Sequence, residues 1–181
     1  NITTTEYNSI GKISVATDEK GRQTSYDYDS LGNVIKITYA DGTSESFTYD
    51  REGNNLTATD RLGRTVTMKY DKVGNLISKT YPNGAAVKYT YDANYNLTST
   101  ISASGNETKY EYDAIGRNTA IIDALGNRTE FTYNSHSQLG SMTDANGNVY
   151  TYTYDDNGNR TATTYPDGSS VSSEYDARGR V

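Results

Sequence analysis

YDSLGNVIKITYADGTSESFTYD, residues 28–50, contains one full period of this chain and decides its fold. The stretch opens on Tyr28-Asp29 and closes on Tyr49-Asp50, 21 residues later, with two glycine-closed turns in between. Working outward at that interval, tyrosine recurs at Tyr7, Tyr28, Tyr49, Tyr70, Tyr91, Tyr112, Tyr133, Tyr154 and Tyr175. Aspartate follows seven of them (Asp29, Asp50, Asp71, Asp92, Asp113, Asp155, Asp176), and asparagine follows the other two (Asn8, Asn134). A fixed period near 20 residues marks a repeat array, in which each unit buries its apolar face only against its neighbours. The expected organisation is therefore a single array of eight to nine repeats over residues 1–181.

Each repeat carries two turns. The first begins at the residue after the tyrosine and ends on glycine in seven cases, as in Asp29-Ser30-Leu31-Gly32 and Asp71-Lys72-Val73-Gly74. The second always ends on glycine: Gly21, Gly42, Gly63, Gly84, Gly105, Gly126, Gly147 and Gly168. Asp or Asn at the first position with Gly at the fourth is the preference of a type I turn closing into a left-handed residue. Both prolines fit this grammar, since Pro82 and Pro166 occupy the second turn position of Tyr81-Pro82-Asn83-Gly84 and Tyr165-Pro166-Asp167-Gly168.

Between the turns lie segments rich in Thr, Tyr, Val and Ile, such as residues 34–38 and 87–91, which suit β-strands. Aromatic and apolar residues two apart, Tyr26 and Tyr28, Phe47 and Tyr49, Tyr110 and Tyr112, share one face of the second strand. In the first strand both faces carry apolar residues in different repeats, which leaves its register open. The windows between glycines are too short for stable helices. The expected fold is all-β, an antiparallel β-hairpin repeat array that curls into a spiral, solenoid or partial shell, because strongly twisted open sheets rarely exceed ~10 strands.

Leu, Ile, Val and Phe together supply only 27 of 181 residues, so the core must be thin and draw on the 18 tyrosines. Net charge is −6, with Lys and Arg spread along the chain, which offers no footprint for nucleic acid. No apolar run approaches the ~20 residues of a membrane-spanning helix, so no membrane insertion is expected. Without cysteine the chain has neither disulfides nor thiolate metal ligands. A start without Met at Asn1 and an end at Val181, six residues past the last tyrosine, suggest a fragment of a longer protein.

Tyr-Asp-x-x-Gly-Asn/Arg, an x-Gly turn and an aromatic-x-Tyr-Asp return, clean at Tyr28-Asp29-Ser30-Leu31-Gly32-Asn33 and Tyr112-Asp113-Ala114-Ile115-Gly116-Arg117, resemble the YD-repeat or Rhs-repeat family. That resemblance implies a β-sheet wound into a hollow shell, as in bacterial polymorphic toxins, insecticidal toxin complexes, wall-associated proteins and teneurins. It also implies a secreted or cell-surface location, with adjacent repeats of the parent protein and an enclosed toxin cargo as partners. The family's protease-like core segment is not represented, since neither proline follows an aspartate.

Chemistry is harder to place on these residues. Asn8 and Asn134 stand in for the repeated aspartate, and asparagine keeps the hydrogen-bond acceptor of an Asx-turn while losing acid–base capacity. The segments from Asp144 and Asp155 look faintly like calcium loops but have Val149 and Arg160 where such a loop needs glycine. His136, the only histidine, lies in one of two deviant turns, where Ser137 and Tyr95 replace the glycine. Asparagine, which tolerates left-handed geometry, is expected to repair both. Asn-x-Ser/Thr sequons such as Asn55 and Asn127 arise where a turn meets a threonine-rich strand. No enzyme, no cofactor and no metal site is expected. The leading expectation is a structural scaffold whose cut sheet edges are prone to self-association. The alternative is a carbohydrate- or protein-binding adhesin module using the tyrosine-rich face.

Overall fold

The computed structural model describes residues 2–176 and 178–181; residues 1 and 177, which the expected array includes, lie outside the described residues. The chain divides into two units, residues 1–89 and 90–181. In the first unit the strands are β1 (Ile2–Tyr7), β2 (Ile13–Asp18), β3 (Gln23–Tyr28), β4 (Val34–Thr38), β5 (Ser44–Tyr49), β6 (Asn55–Thr59), β7 (Thr65–Tyr70), β8 (Leu76–Thr80) and the start of β9 (Ala86–Tyr91). The second unit holds β10 (Leu97–Ile101), β11 (Glu107–Tyr112), β12 (Asn118–Ile122), β13 (Arg128–Tyr133), β14 (Leu139–Thr143), β15 (Val149–Tyr154), β16 (Arg160–Thr164) and β17 (Ser170–Ser172). The fold is all-β among the described residues. Within each unit consecutive strands pair antiparallel in chain order, as an open meander.

Two kinds of hairpin alternate. Pairs joined by the second turn, such as β2–β3, share three facing positions, Val15–Ser25, Ala16–Thr24 and Thr17–Gln23. Pairs joined by the Tyr-Asp turn are longer and carry a register shift just before the tyrosine. In β3–β4, Asp27 faces Lys36 while Tyr28 faces Val34, so Ile35 has no opposite residue and forms a β-bulge. The same shift isolates Ser14, Leu56, Ile77, Thr119, Gly140 and Thr161. This bulge explains the ambiguous first strand. Where two residues oppose one, the two-residue alternation slips by one within the strand, and apolar residues fall on both nominal faces.

The second strands alternate cleanly. In β5, Phe47 and Tyr49 are half-buried while Ser46 and Thr48 are exposed, and β9, β11 and β13 repeat the pattern. Hydroxyl pairs link strands on the exposed face, as in Thr48–Thr57 (2.7 Å) and Thr132–Ser141 (2.7 Å). The core is thin: among the described residues Ala16, Ala120 and Ser99 are buried, and no large side chain is fully enclosed.

Candidate functional site

The Tyr-Asp turns hold the repeated carboxylates. In the turn from Asp71, the Asp71 N–H donates to the Asn75 carbonyl (2.9 Å) and the Gly74 N–H donates back to the Asp71 carbonyl (3.3 Å). Gly74 takes φ +91°, giving the three-residue hairpin loop of a type I turn closed by a left-handed residue. The carboxylate is fully engaged. Its Oδ1 accepts the N–H groups of Val73 (3.0 Å) and Asn75 (2.9 Å), and its Oδ2 accepts Asn75 Nδ2 (2.9 Å). Asp29, Asp50, Asp92 and Asp155 are held in the same way. At Asp113 and Asp176 an arginine replaces the asparagine, with Arg117 Nε at 2.6 Å and Arg180 Nε at 2.8 Å from Oδ2.

Asn134 shows what the turn requires. Its Oδ1 still accepts the N–H groups of His136 (2.9 Å) and Gln138 (3.0 Å), while its Nδ2 now donates to Gln138 Oε1 (2.8 Å). The donor and acceptor have exchanged places across the turn, so a charge is dispensable and an acceptor is not. For the aspartates these hydrogen bonds favour the ionised form. The Asn75 side-chain bond holds Asp71 below the ordinary carboxylate range, and the Arg117 backbone N–H does the same for Asp113. Such groups are poor proton donors near neutral pH. Among the described residues no cluster of His, Asp and Glu could hold a metal ion.

The repeating tyrosines do something the spacing did not disclose. Tyr28 Oη donates to the carbonyl of Ile13 (2.7 Å), Tyr49 to Val34 (3.0 Å), Tyr70 to Asn55 (3.0 Å) and Tyr112 to Leu97 (2.9 Å). Tyr133, Tyr154 and Tyr175 reach Asn118 (2.7 Å), Leu139 (3.0 Å) and Arg160 (3.1 Å). Every one of these acceptors lies 15 residues earlier, and Ile13, Val34, Asn55, Asn118, Leu139 and Arg160 each sit just before a bulge position. The short ladder between β2 and β3 ends at Val15–Ser25, and Tyr28 bonds the backbone beyond that end. Tyr7 accepts the Thr5 hydroxyl (3.3 Å), and Tyr91 closes β9 at the corresponding place.

All the second-turn glycines are left-handed, with φ from +75° at Gly21 to +85° at Gly105 and Gly126; Gly42, Gly63, Gly84, Gly147 and Gly168 fall between. The deviant turns differ from expectation. Neighbouring asparagines do not absorb the left-handed geometry; Tyr95 (φ +65°) and Ser137 (φ +61°) take it themselves. The reason is the fixed hydrogen bond. Tyr95 N–H donates to the Asp92 carbonyl (3.1 Å) and Ser137 N–H to Asn134 (3.0 Å), which pins the left-handed residue to the fourth position whatever its identity. A left-handed non-glycine residue costs roughly 1–2 kcal/mol. Tyr95→Gly and Ser137→Gly are accordingly expected to raise the melting temperature by a few degrees each, by roughly 2–4 °C per kcal/mol in a chain of this size; no rise in a thermal scan would contradict this account.

Neighbouring Tyr-Asp turns also touch. Lys12 Nζ donates to the Gly32 carbonyl (2.7 Å), and Arg117 Nη1 reaches Ser137 Oγ (3.3 Å), each 20 residues on. One geometry thus recurs along the chain, with the tyrosine hydroxyl, the turn acceptor and the left-handed glycine as its parts. The RHS Repeat family matches at residues 7–44, 28–65, 49–86, 70–107, 96–128, 112–149, 133–170 and 154–181.

The chain belongs to the RHS repeat family. No curated protein matches it. Among solved structures, the RHS array resembles a TcdB2-TccC3-Cdc42 crystal structure with TM-score 0.76 and 16% identity, covering 96% of this chain and 12% of that one. A TcdB2-TccC3-TEV crystal structure gives TM-score 0.75 at 17% identity, and TcdB2-TccC3 without its hypervariable C-terminal region gives 0.75 at 16%, each over 97% of this chain and 12% of the other. A Photorhabdus luminescens Tc holotoxin pore gives TM-score 0.64 at 20% identity over 80% of this chain and 9% of that one. At these identities the likeness is one of fold. The RHS array spans about an eighth of the length of the Tc chains it matches.

Proposed function

We propose that this array is a non-enzymatic wall segment of a larger secreted or surface protein, one array over residues 1–181 that curls with further repeats into a shell around a toxin cargo. The observation that carries the reading is the uninterrupted 21-residue spacing, with the tyrosine-to-carbonyl bond returning in phase at Tyr28, Tyr49, Tyr70, Tyr112, Tyr133, Tyr154 and Tyr175. No loop has lengthened to host a grafted site, and loops are where catalysis is usually placed. The tyrosines, aspartates and glycines of the repeat then serve architecture: the first closes the bulge, the second caps the turn and the third supplies left-handed backbone. The Tc complexes that share the fold support the toxin context by analogy.

Electron cryomicroscopy of the intact parent protein tests this. Repeats on either side of the segment are expected to close around a lumen that shields a downstream domain from protease. An extended rod, or a downstream domain cleaved as fast as in isolation, would overturn the proposal.

A further inference from the structure

Asparagine precedes glycine three times in this chain, at Asn83-Gly84, Asn146-Gly147 and Asn157-Gly158. Each pair fills the third and fourth positions of a turn, and the glycine is left-handed, at φ +82°, +80° and +86°. All six residues are exposed. Glycine carries no side chain to shield its amide nitrogen, and the space where a Cβ would stand at Gly84 and Gly147 is open to 4 Å. The same internal hydrogen bond closes all three turns: the Gly84 N–H donates to the Tyr81 carbonyl (2.9 Å), Gly147 to Asp144 (3.0 Å) and Gly158 to Asp155 (3.0 Å). Exposure, backbone shape and this bond therefore do not distinguish the three asparagines.

The first turn residue does distinguish them. Asp144 and Asp155 cap their own turns: Asp144 Oδ1 accepts the N–H groups of Asn146 (2.9 Å) and Asn148 (2.9 Å), and Asp155 Oδ1 those of Asn157 (3.0 Å) and Asn159 (2.8 Å). The Asn148 and Asn159 side chains hold both carboxyls ionised, below the ordinary range. A negative charge therefore stands over each of those loops. The third turn opens instead on Tyr81-Pro82, with no carboxylate at its first position. Asn83 takes over the capping itself, its Oδ1 accepting the Ala85 N–H (3.1 Å). That bond spans the Gly84 peptide. It leans the side-chain carbonyl carbon, Cγ, toward the Gly84 nitrogen and puts a donor on the oxygen that turns negative when Cγ is attacked.

We propose that Asn83 is a self-modification site, where the turn converts asparagine to aspartate and isoaspartate without an enzyme. The Gly84 nitrogen gives up its proton and attacks Asn83 Cγ. As the new N–C bond forms, the Cγ–Nδ2 bond breaks, and the side-chain nitrogen departs with that proton as ammonia. A succinimide ring remains, which water opens at either carbonyl: breaking the new N–C bond leaves aspartate, and breaking the original main-chain bond leaves isoaspartate. Charge sets the ranking, because the step passes through an anionic nitrogen and an anionic tetrahedral carbon, which Asp144 and Asp155 repel and Tyr81 does not. Aspartate at position 83 reproduces the turns of Asp41 and Asp167, whose Oδ1 atoms accept the Thr43 (3.1 Å) and Ser169 (2.9 Å) N–H groups in the same way. Isoaspartate adds a methylene to the main chain inside a hairpin that the Tyr81 N–H closes on the Ala85 carbonyl (2.8 Å), and so disturbs the facing pairs Thr80–Ala86 and Lys79–Val87. Chemical ageing of the array therefore begins at β8–β9. The chemistry belongs to one turn and holds whether or not the array closes a shell.

The intact chain is held at mildly alkaline pH and followed by peptide mass spectrometry, with isoaspartate counted by an isoaspartyl methyltransferase and ammonia release measured alongside. Asn83 is expected to convert about fivefold faster than Asn146 or Asn157, the ratio that one neutral hydrogen bond can set. Asp144→Tyr removes the carboxylate and copies the Tyr39-Ala40-Asp41-Gly42 pattern with asparagine at its third position. It is expected to speed conversion of Asn146 by a similar factor. Hydrogen exchange is expected to accelerate in β8 and β9 of the aged chain and to stay unchanged in Asn83→Asp, which supplies the tolerated product alone. The proposal is overturned if Asn146 or Asn157 converts as fast as Asn83, if Asn83 survives in the folded chain while it converts in denaturant, or if Asp144→Tyr leaves the Asn146 rate where it was.

Discussion

Tyr112→Ala is expected to cost this protein a large share of its stability. Two losses combine. The ring is half-buried in a sheet whose enclosed side chains, among the described residues, are Ala16, Ala120 and Ser99, so few other contacts compensate for it. Its hydroxyl also donates to the Leu97 carbonyl at 2.9 Å, and burial already pushes its ionisation upward. Truncating a fully enclosed aromatic costs about 3–5 kcal/mol, and a half-enclosed one should fall toward the low end, near 3 kcal/mol. Tyr112→Phe isolates the hydroxyl: it leaves the Leu97 carbonyl without that donor, at about 1–3 kcal/mol. Because a repeat array unfolds as coupled neighbours, the loss should be local. Hydrogen exchange is expected to accelerate in β10 to β12 first, with a lower melting temperature for Ala than for Phe. If Phe matches the unaltered chain in both measurements, the hydroxyl bond contributes nothing and the tyrosine series needs another explanation.

Local chemistry was legible in the sequence and cross-strand relations were not. The turn at Asp71 could be read from four residues, because the cap, the hydrogen bond and the left-handed Gly74 lie within one loop. The half-buried alternation of Phe47 and Tyr49 likewise follows from a two-residue period within one strand. The bulge at Ile35 is different in kind. It exists only as a relation between β3 and β4, two residues against one, and a period-based reading sees it merely as blurred alternation. One clue was present: Gly140, the single glycine outside the turn grid, occupies a bulge position. The hydroxyl acceptors of the ladder were hidden for the same reason, since Ile13 and Tyr28 meet across strands. Tyr95 departs from the asparagine expectation because its backbone hydrogen bond to Asp92 fixes the turn geometry whatever the residue's own preference.

Acid should unfold this protein for a nameable reason. Thirteen aspartates are held below the ordinary range, chiefly by side-chain or backbone hydrogen bonds across their turns. A carboxyl whose folded value is depressed contributes stability above its unfolded value, about 3.9 for aspartate, and loses that contribution as pH falls through the folded value. The melting temperature is therefore expected to be level from neutral pH to about 5 and to fall steeply below about 4. A second cause would act in the same window, because protonating 23 acidic groups leaves 17 Lys and Arg side chains to repel one another. Salt separates the two, since screening shortens the Debye length to ~3 Å at 1 M and weakens long-range repulsion while leaving short turn hydrogen bonds in place. The acid loss should therefore persist in high salt. Substituting Asp50→Asn with Asn54→Gln, and Asp71→Asn with Asn75→Gln, copies the Asn134–Gln138 arrangement and should flatten the acid limb without lowering stability at neutral pH. A melting temperature that recovers fully in salt, or an acid limb unchanged by the paired substitutions, would assign the effect to net charge instead of the caps.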